Sequence, residues 1–248
     1  MKIAYFDCFW GISGDMILAS LIDAGLDFSL FKEKIKSLGL PDFRIIKKKV
    51  KRGEISATQI EIIPEEKRNF SYSELKEIIK KANLSSEIKK KVLSTFSLLA
   101  KAEKKVHGIK GENFHFEQLG EIDTLVDIIG AYIALDLLEI EKVYFSRIRL
   151  GRGGLFKHGK TKLPLPGPAV LELLKGIPIK FVEEPYEFIT PTGAVLIKKL
   201  ICGNTENLPS FKILNIGYGA GKIKFGLHEN FLRVMIGELE NKIKLDKS

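Results

Sequence analysis

The sequence predicts an α/β or α+β fold, a mixed sheet with helices packed on it and glycine-rich loops at its surface. Two observations carry that expectation. Short strand-like runs interleave irregularly with stretches whose apolar residues recur at helical spacing. Glycines gather between these elements, in DCFWGISGDM, GRGGLFKHG and GYGAGKIKFG, where tight turns and close backbone approaches call for them. One unit over 1–240 is expected, or two subdomains formed by 1–66 with a helical 70–138 and by 140–240, with 241–248 as a frayed tail.

In chain order, KIAYF is an apolar strand that empties through DCFWGISGDM into a helix from about Met16 to Ala24. A strand, a glycine loop and a helix start present backbone N–H groups to an anion, so Ser13 and Gly14 are candidate ligand contacts. Asp7, at the end of the strand, and Asp15 are candidate metal or substrate contacts; as a purely local alternative, Ser13 or Asp15 caps the helix. Leu30 to Leu38 reads as a second helix. Phe43 to Val50 and Ile55 to Ile63 alternate like a hairpin turning at Arg52-Gly53-Glu54. Helical spacing returns from Tyr72 to Ala82 and from Ser85 to about Val106, where His107 and Gly108 close the helix.

The stretch HFEQLGEIDTLVDIIG, His115 to Gly130, is the most unusual. It runs into an apolar helix ending near Leu138. Asp123 and Asp127 stand i, i+4 on one face of that helix, among Ile122, Leu125, Val126, Ile128 and Ile129. Carboxylates in such surroundings need a cation, a metal or backbone donors. KVYFSRIRL then reads as one short strand, followed by a loop with four glycines, His158, and the basic residues Arg152, Lys157, Lys160 and Lys162. Gly153 and Gly154 allow close backbone approach, and the Lys and Arg side chains suit phosphate. The alternative is a glycine-rich hairpin joined by a proline-stiffened connection to a helix from Ala169 to Leu174. Beyond it come the strand IKFV, a helix to Leu200 capped by Thr190 or Thr192, and strands around Phe211 to Ile216 and Phe231 to Ile236.

Composition narrows the class. At 45% hydrophobic and 29% charged residues the chain is globular. Its net charge of +9 favours anionic partners, but the lysines are spread over several surfaces, and the run Lys47 to Arg52 looks like a guarded strand edge. Nucleic acid is therefore the less favoured partner. Cys8 and Cys202 stand far apart without a CxxC companion, which argues against a disulfide framework or thiolate zinc and for a reducing cytoplasm. No signal peptide or membrane span is expected.

Six motifs occur together and in order from Lys2 to about Leu239. They are DCFWGISGDM, the VHG of Val106 to Gly108, HFEQLGEIDTLVDIIG, HGKTKLPLPGPAVLELLKGIP, TPTGA and GYGAG. On these the chain resembles the nickel-pincer-cofactor nickel-insertion protein family. The resemblance implies insertion of nickel into pyridinium-3,5-bisthiocarboxylic acid mononucleotide, a CTP-dependent lyase-type chelatase step that makes two nickel–sulfur bonds and one nickel–carbon bond. It also implies Mg or Mn for the CTP-dependent step, and a product that serves lactate racemase-type enzymes.

Carried over position by position, the resemblance makes His115 and Glu117 nickel or divalent-cation ligands. Asp123 becomes a further ligand or the group that orients His115. Asp7 and Asp15 hold a cation against phosphate, His158 contacts the ring or removes its proton, and Lys160 and Lys162 meet the phosphate. Asp127 is left to packing. Three departures stand out. HFEQLG replaces the usual HFHEVG, so Glu117 stands where a histidine is common; the His-rich tract before Arg68-Asn69 is replaced by PEEKRNF; and the second, CTP-binding half is missing. With four histidines, bulk nickel storage is excluded. The chain is expected to be an N-terminal half that works with a separate CTP-binding polypeptide, or else a shortened chain. A metallochaperone or ligand-binding module, a non-catalytic scaffold, and a homo-oligomer remain open alternatives.

Overall fold

A computed structural model describes residues 1–111, 114–116, 119–158, 161–222 and 229–240, and for Lys157, His158 and Thr205 the backbone alone. Its centre is a seven-stranded mixed sheet in the order β2-β3-β10-β11-β1-β4-β9. The strands are β1 (Lys2–Asp7), β2 (Phe43–Arg52), β3 (Ile55–Pro64), β4 (Lys142–Phe145), β9 (Ile201–Asn204), β10 (Phe211–Ala220) and β11 (Phe231–Leu239). β1 runs antiparallel to β11 and parallel to β4. The expected hairpin forms as β2 and β3, in register from Phe43↔Pro64 to Arg52↔Ile55, with Gly53 at φ +54° in the turn.

Alternation along β1 shows how the sheet is used. Ala4 and Phe6 enter the main core with the helices, whereas Ile3 and Tyr5 join Tyr144 in a small cluster on the other face. The helices are α1 (Gly14–Asp23), α2 (Phe28–Lys36), α3 (Tyr72–Lys81), α4 (Ser86–His107), α5 (Ile122–Leu137), α6 (Pro168–Leu173) and α7 (Pro191–Leu200). α5 is buried along nearly its whole length, from Ile122 to Leu135, because its sequence leaves almost no polar stripe. α3 begins with a full capping box between Ser71 and Glu74.

Two expectations are revised. KVYFSRIRL is two strands: β4 stays in the central sheet, and β5 (Ile148–Gly151) leaves at Ser146-Arg147 to pair with β8 (Ile179–Val182). GYGA belongs to a strand, the second half of β10, rather than to a loop. The reason is space. A Cβ on Gly217 would lie 2.2 Å from the Ser20 carbonyl oxygen, and one on Gly219 2.2 Å from that of Met16, so the paired glycines let α1 lie directly on the sheet. The glycine-rich segment after β5 folds as an antiparallel hairpin, β6 (Leu155–His158) with β7 (Thr161–Pro164).

Candidate functional site

The loop that follows β1 crosses the segment before α7 so closely that side chains are excluded. Ile12 N–H donates to the Phe188 carbonyl at 2.8 Å, while Cβ atoms on Gly11 and Gly193 would meet the carbonyls of Phe188 and Ile12 at 2.3 and 2.4 Å. This crossing sets the starts of α1 and α7 side by side. The start of α5 and the last turns of α4 complete the ring, and between them lies a cavity of about 430 Å³. Three helix starts give it positive potential, although Met16, Thr124 and Gly193 N–H are already held by Asp15, Asp123 and Thr190. Its remaining wall is apolar, from Met16, Leu119, Phe156, Leu163, Val170 and Phe188.

Carboxylates stand inside that positive frame. Ser13, at the cap position of α1, makes no cap hydrogen bond; its hydroxyl donates to the Asp15 carboxylate, which also accepts from Met16 N–H at 3.0 Å. Burial pushes Asp15 above the ordinary aspartate range. Asp127 is pushed up further, first by burial and then by the nearby charges of Asp15 and Asp123, against a backbone hydrogen bond from Asp15. Its Oδ1 is buried and unpartnered. Gly14 is what admits it, since a Cβ there would lie 2.6 Å from the Asp127 side chain. Asp123 is more open; it accepts from Thr124 N–H at 2.7 Å and faces Lys222 Nζ at 3.9 Å. Glu187 lines the opposite side and is raised by burial. Glu103 and His107 face the cavity from α4, with His107 Nε2 3.6 Å from Glu103 Oε2.

Of the residues expected from the sequence, Ser13, Gly14, Asp15 and Asp123 come together in this cavity. Others do not join them. Asp7 pairs across the strands with Arg233, its register partner. His115 is exposed, with Nδ1 3.3 Å from the Asn69 carbonyl, because its neighbours Phe114 and Phe116 turn into the core and leave it pointing outward. Arg152 pairs with Glu183 at the surface, and Lys162 is exposed on β7. Gly153 has φ +83° with open space around it, whereas a Cβ on Gly154 would meet the Pro185 carbonyl at 2.6 Å. The His158 backbone ends β6; its side chain, like Glu117 and Lys160, lies outside the described residues. Among the described residues no three His, Cys, Asp or Glu side chains are grouped to hold a metal, and no helix is long and apolar enough to cross a membrane.

The contributors that pattern reading assigned elsewhere or left unmentioned are Glu103, His107, Asp127, Glu187 and Lys222. Glu103 and His107 stand i, i+4 at the end of a lysine-rich helix, a spacing that marks one face. Glu187 and Lys222 carry no local signal, since only the fold brings them to this wall.

The chain is thus an α/β protein in which helix starts enclose a carboxylate-bearing cavity. Comparison with known proteins identifies the family. The model described as "Nickel insertion protein" matches residues 4–247, and the chain belongs to that family. A pyridinium-3,5-bisthiocarboxylic acid mononucleotide nickel insertion protein of Desulfitobacterium hafniense is 41% identical over 245 residues, covering 98% of this chain and 60% of the relative. One of the same name from Geobacillus kaustophilus is 39% identical, covering 96% and 60%. A putative nickel insertion protein of Dictyoglomus thermophilum is 39% identical, covering 96% and 61%. The chain thus spans about three-fifths of the length of these relatives. No solved structure matches it at a significant level.

Proposed function

We propose that the chain inserts nickel into pyridinium-3,5-bisthiocarboxylic acid mononucleotide, the substrate named in its relatives. The observation that carries this reading is the cavity's mixture of surfaces. Its volume of about 430 Å³ suits a mononucleotide-sized ligand. The apolar wall of Phe156, Leu163 and Phe188 accepts the flat ring, the helix starts and Lys222 attract its anionic groups, and the carboxylates draw in the divalent metal. The ring carbon that bonds to nickel must lose a proton. We assign that proton to Glu187, which lines the cavity and is raised by burial.

We assign the CTP-dependent part of the reaction to a CTP-binding partner. We assign Mg or Mn to the CTP-dependent step with that partner. The two free thiols, Cys8 buried and Cys202 exposed, agree with a reducing cytoplasm.

Reconstitution tests the proposal. The chain, the CTP-binding partner, CTP, the mononucleotide and Ni(II) are mixed, and the absorbance of the nickelated product is followed. Product should form, and Lys222→Ala should raise the KM for the mononucleotide about tenfold, equivalent to roughly 1.4 kcal/mol of lost attraction. An unchanged spectrum with a partner known to be competent sinks the insertion reading.

A further inference from the structure

The three helix starts that face the cavity are not equivalent. We propose that the start of α7 is the phosphate subsite, with the N–H and the hydroxyl of Thr192 as its donors. The inference rests on the insertion reading for the identity of the ligand, a mononucleotide, and on the fold for the place of its phosphate.

The starts of α1 and α5 are taken by carboxylates. Asp15, in the first turn of α1, accepts from Met16 N–H at 3.0 Å, while Asp127 accepts from the N–H of Asp15. Asp123, in the first turn of α5, accepts from Thr124 N–H at 2.7 Å. A phosphate arriving at either start would have to displace a carboxylate from these donors.

α7 differs. Its first turn holds no acidic residue and opens with Pro191, which has no N–H to offer. The neutral cap Thr190 accepts from Gly193 N–H at 3.1 Å, and Ala194 N–H donates to the Thr190 carbonyl at 2.8 Å. Thr192 N–H is thereby left without a partner among the described residues. The Thr192 side chain lines the cavity at 7% exposure, and among the described residues its hydroxyl has no hydrogen-bond partner either. A sheltered hydroxyl left unpaired costs free energy that an acceptor on a ligand recovers. Two donors from one residue, at the positive end of a ten-residue helix, suit the oxygens of a phosphate. They are also held in place, because Ile12 bridges to Ile189 and its carbonyl closes against Gly193. With the phosphate there, Lys222, 3.9 Å from Asp123 at the start of α5, is left to the thiocarboxylates of the ring.

The probe is ribose 5-phosphate, titrated into the full chain by calorimetry, with ribose as the uncharged control and backbone amide NMR as a second readout. Ribose 5-phosphate should bind about tenfold or more tightly than ribose, and it should move the Thr192 amide signal further than those of Met16 and Thr124. Thr192→Val keeps the shape and the N–H but loses the hydroxyl, and should weaken binding about tenfold, whereas Thr192→Ser should stay within about twofold of wild type. In the reconstituted reaction Thr192→Val should raise the KM for the mononucleotide and leave that for nickel unchanged, a split that mere loosening of α7 would not produce. Wild-type affinity in Thr192→Val overturns the proposal, as does an amide shift in the wild-type chain centred on Met16 or Thr124. Failure of the wild-type chain to make product overturns the insertion reading by itself, and the ribose 5-phosphate titration still judges the subsite.

Discussion

Replacing Gly217 by alanine tests the contact that positions the cavity. The perturbation is one methyl group on β10, on the face that carries α1. Its carbon would lie 2.2 Å from the Ser20 carbonyl oxygen, 2.4 Å from Ala24 N and 2.8 Å from Ala24 Cβ. Ordinary contact begins at 3.4 Å, so the helix has to retreat by about 1 Å along a stretch that is buried from Gly14 to Ile22. Overpacked cores lose about 1–3 kcal/mol. Here the obstacle is helix backbone, which cannot change rotamer, so the upper end applies. For a chain of this size about 3 kcal/mol corresponds to a fall in Tm of roughly 6–12 °C. Circular dichroism melting and urea denaturation measure it, and the urea midpoint should drop with no change in slope. Because α1 carries Ser13, Gly14 and Asp15 into the cavity, product formation should fall as well. A Tm within about 2 °C of wild type would refute the reasoning, since it would mean that α1 does not rest on the glycine backbone.

The remaining predictions are narrower. Asp15, Asp127 and Glu187 all have raised pKa values, so above about pH 4 the folded state holds protons that the unfolded state has released, and stability falls as pH rises through the raised values. Asp127→Asn should flatten that fall, measured as unfolding free energy between about pH 4 and 8; an identical slope contradicts the burial of its charge. Tyr132→Phe removes a buried hydrogen bond to Thr95 Oγ1 of 2.7 Å and should cost about 1–2 kcal/mol, read by denaturant titration with the cavity chemistry unaltered. Asp7→Asn breaks the cross-strand pair with Arg233 and should cost up to about 1 kcal/mol. Nickel-dependent product formation in the reconstituted reaction should be unaffected by that change, and its loss would return Asp7 to the metal.

The legible part of the structure was the part written in local patterns. The β2–β3 hairpin, α3 to α5 and α7 follow from alternation, helical spacing and caps, and Thr190 accepts from Gly193 N–H as a cap should. The i, i+4 spacing of Asp123 and Asp127 does put both carboxylates on the cavity side of α5. What stayed hidden depends on neighbours distant in sequence. Gly217 and Gly219 look like loop residues until α1 is laid across them. Asp7 looks like a ligand at a strand end until its register partner is found to be Arg233. His115 carries the motif, but Phe114 and Phe116 take the inward positions, and the alternation of an extended segment then fixes where a histidine between them must point. His107 closes its helix in the ordinary way and faces the cavity at the same time, so nothing local separates the two roles.

The order of strands has a consequence for how the protein is made. β10 and β11, synthesised after every other strand of this sheet, lie between β3 and β1, which are among the first. While the ribosome is still adding residues 140–200, the hairpin of β2 and β3 has no sheet to join, β1 has no antiparallel neighbour, and α1 has no glycine floor. At about 5–20 residues per second, the N-terminal motifs wait several seconds or more for Phe211 to Leu239. The cavity therefore closes late and all at once. Any event that stalls translation before β11 leaves the carboxylates of the cavity in water.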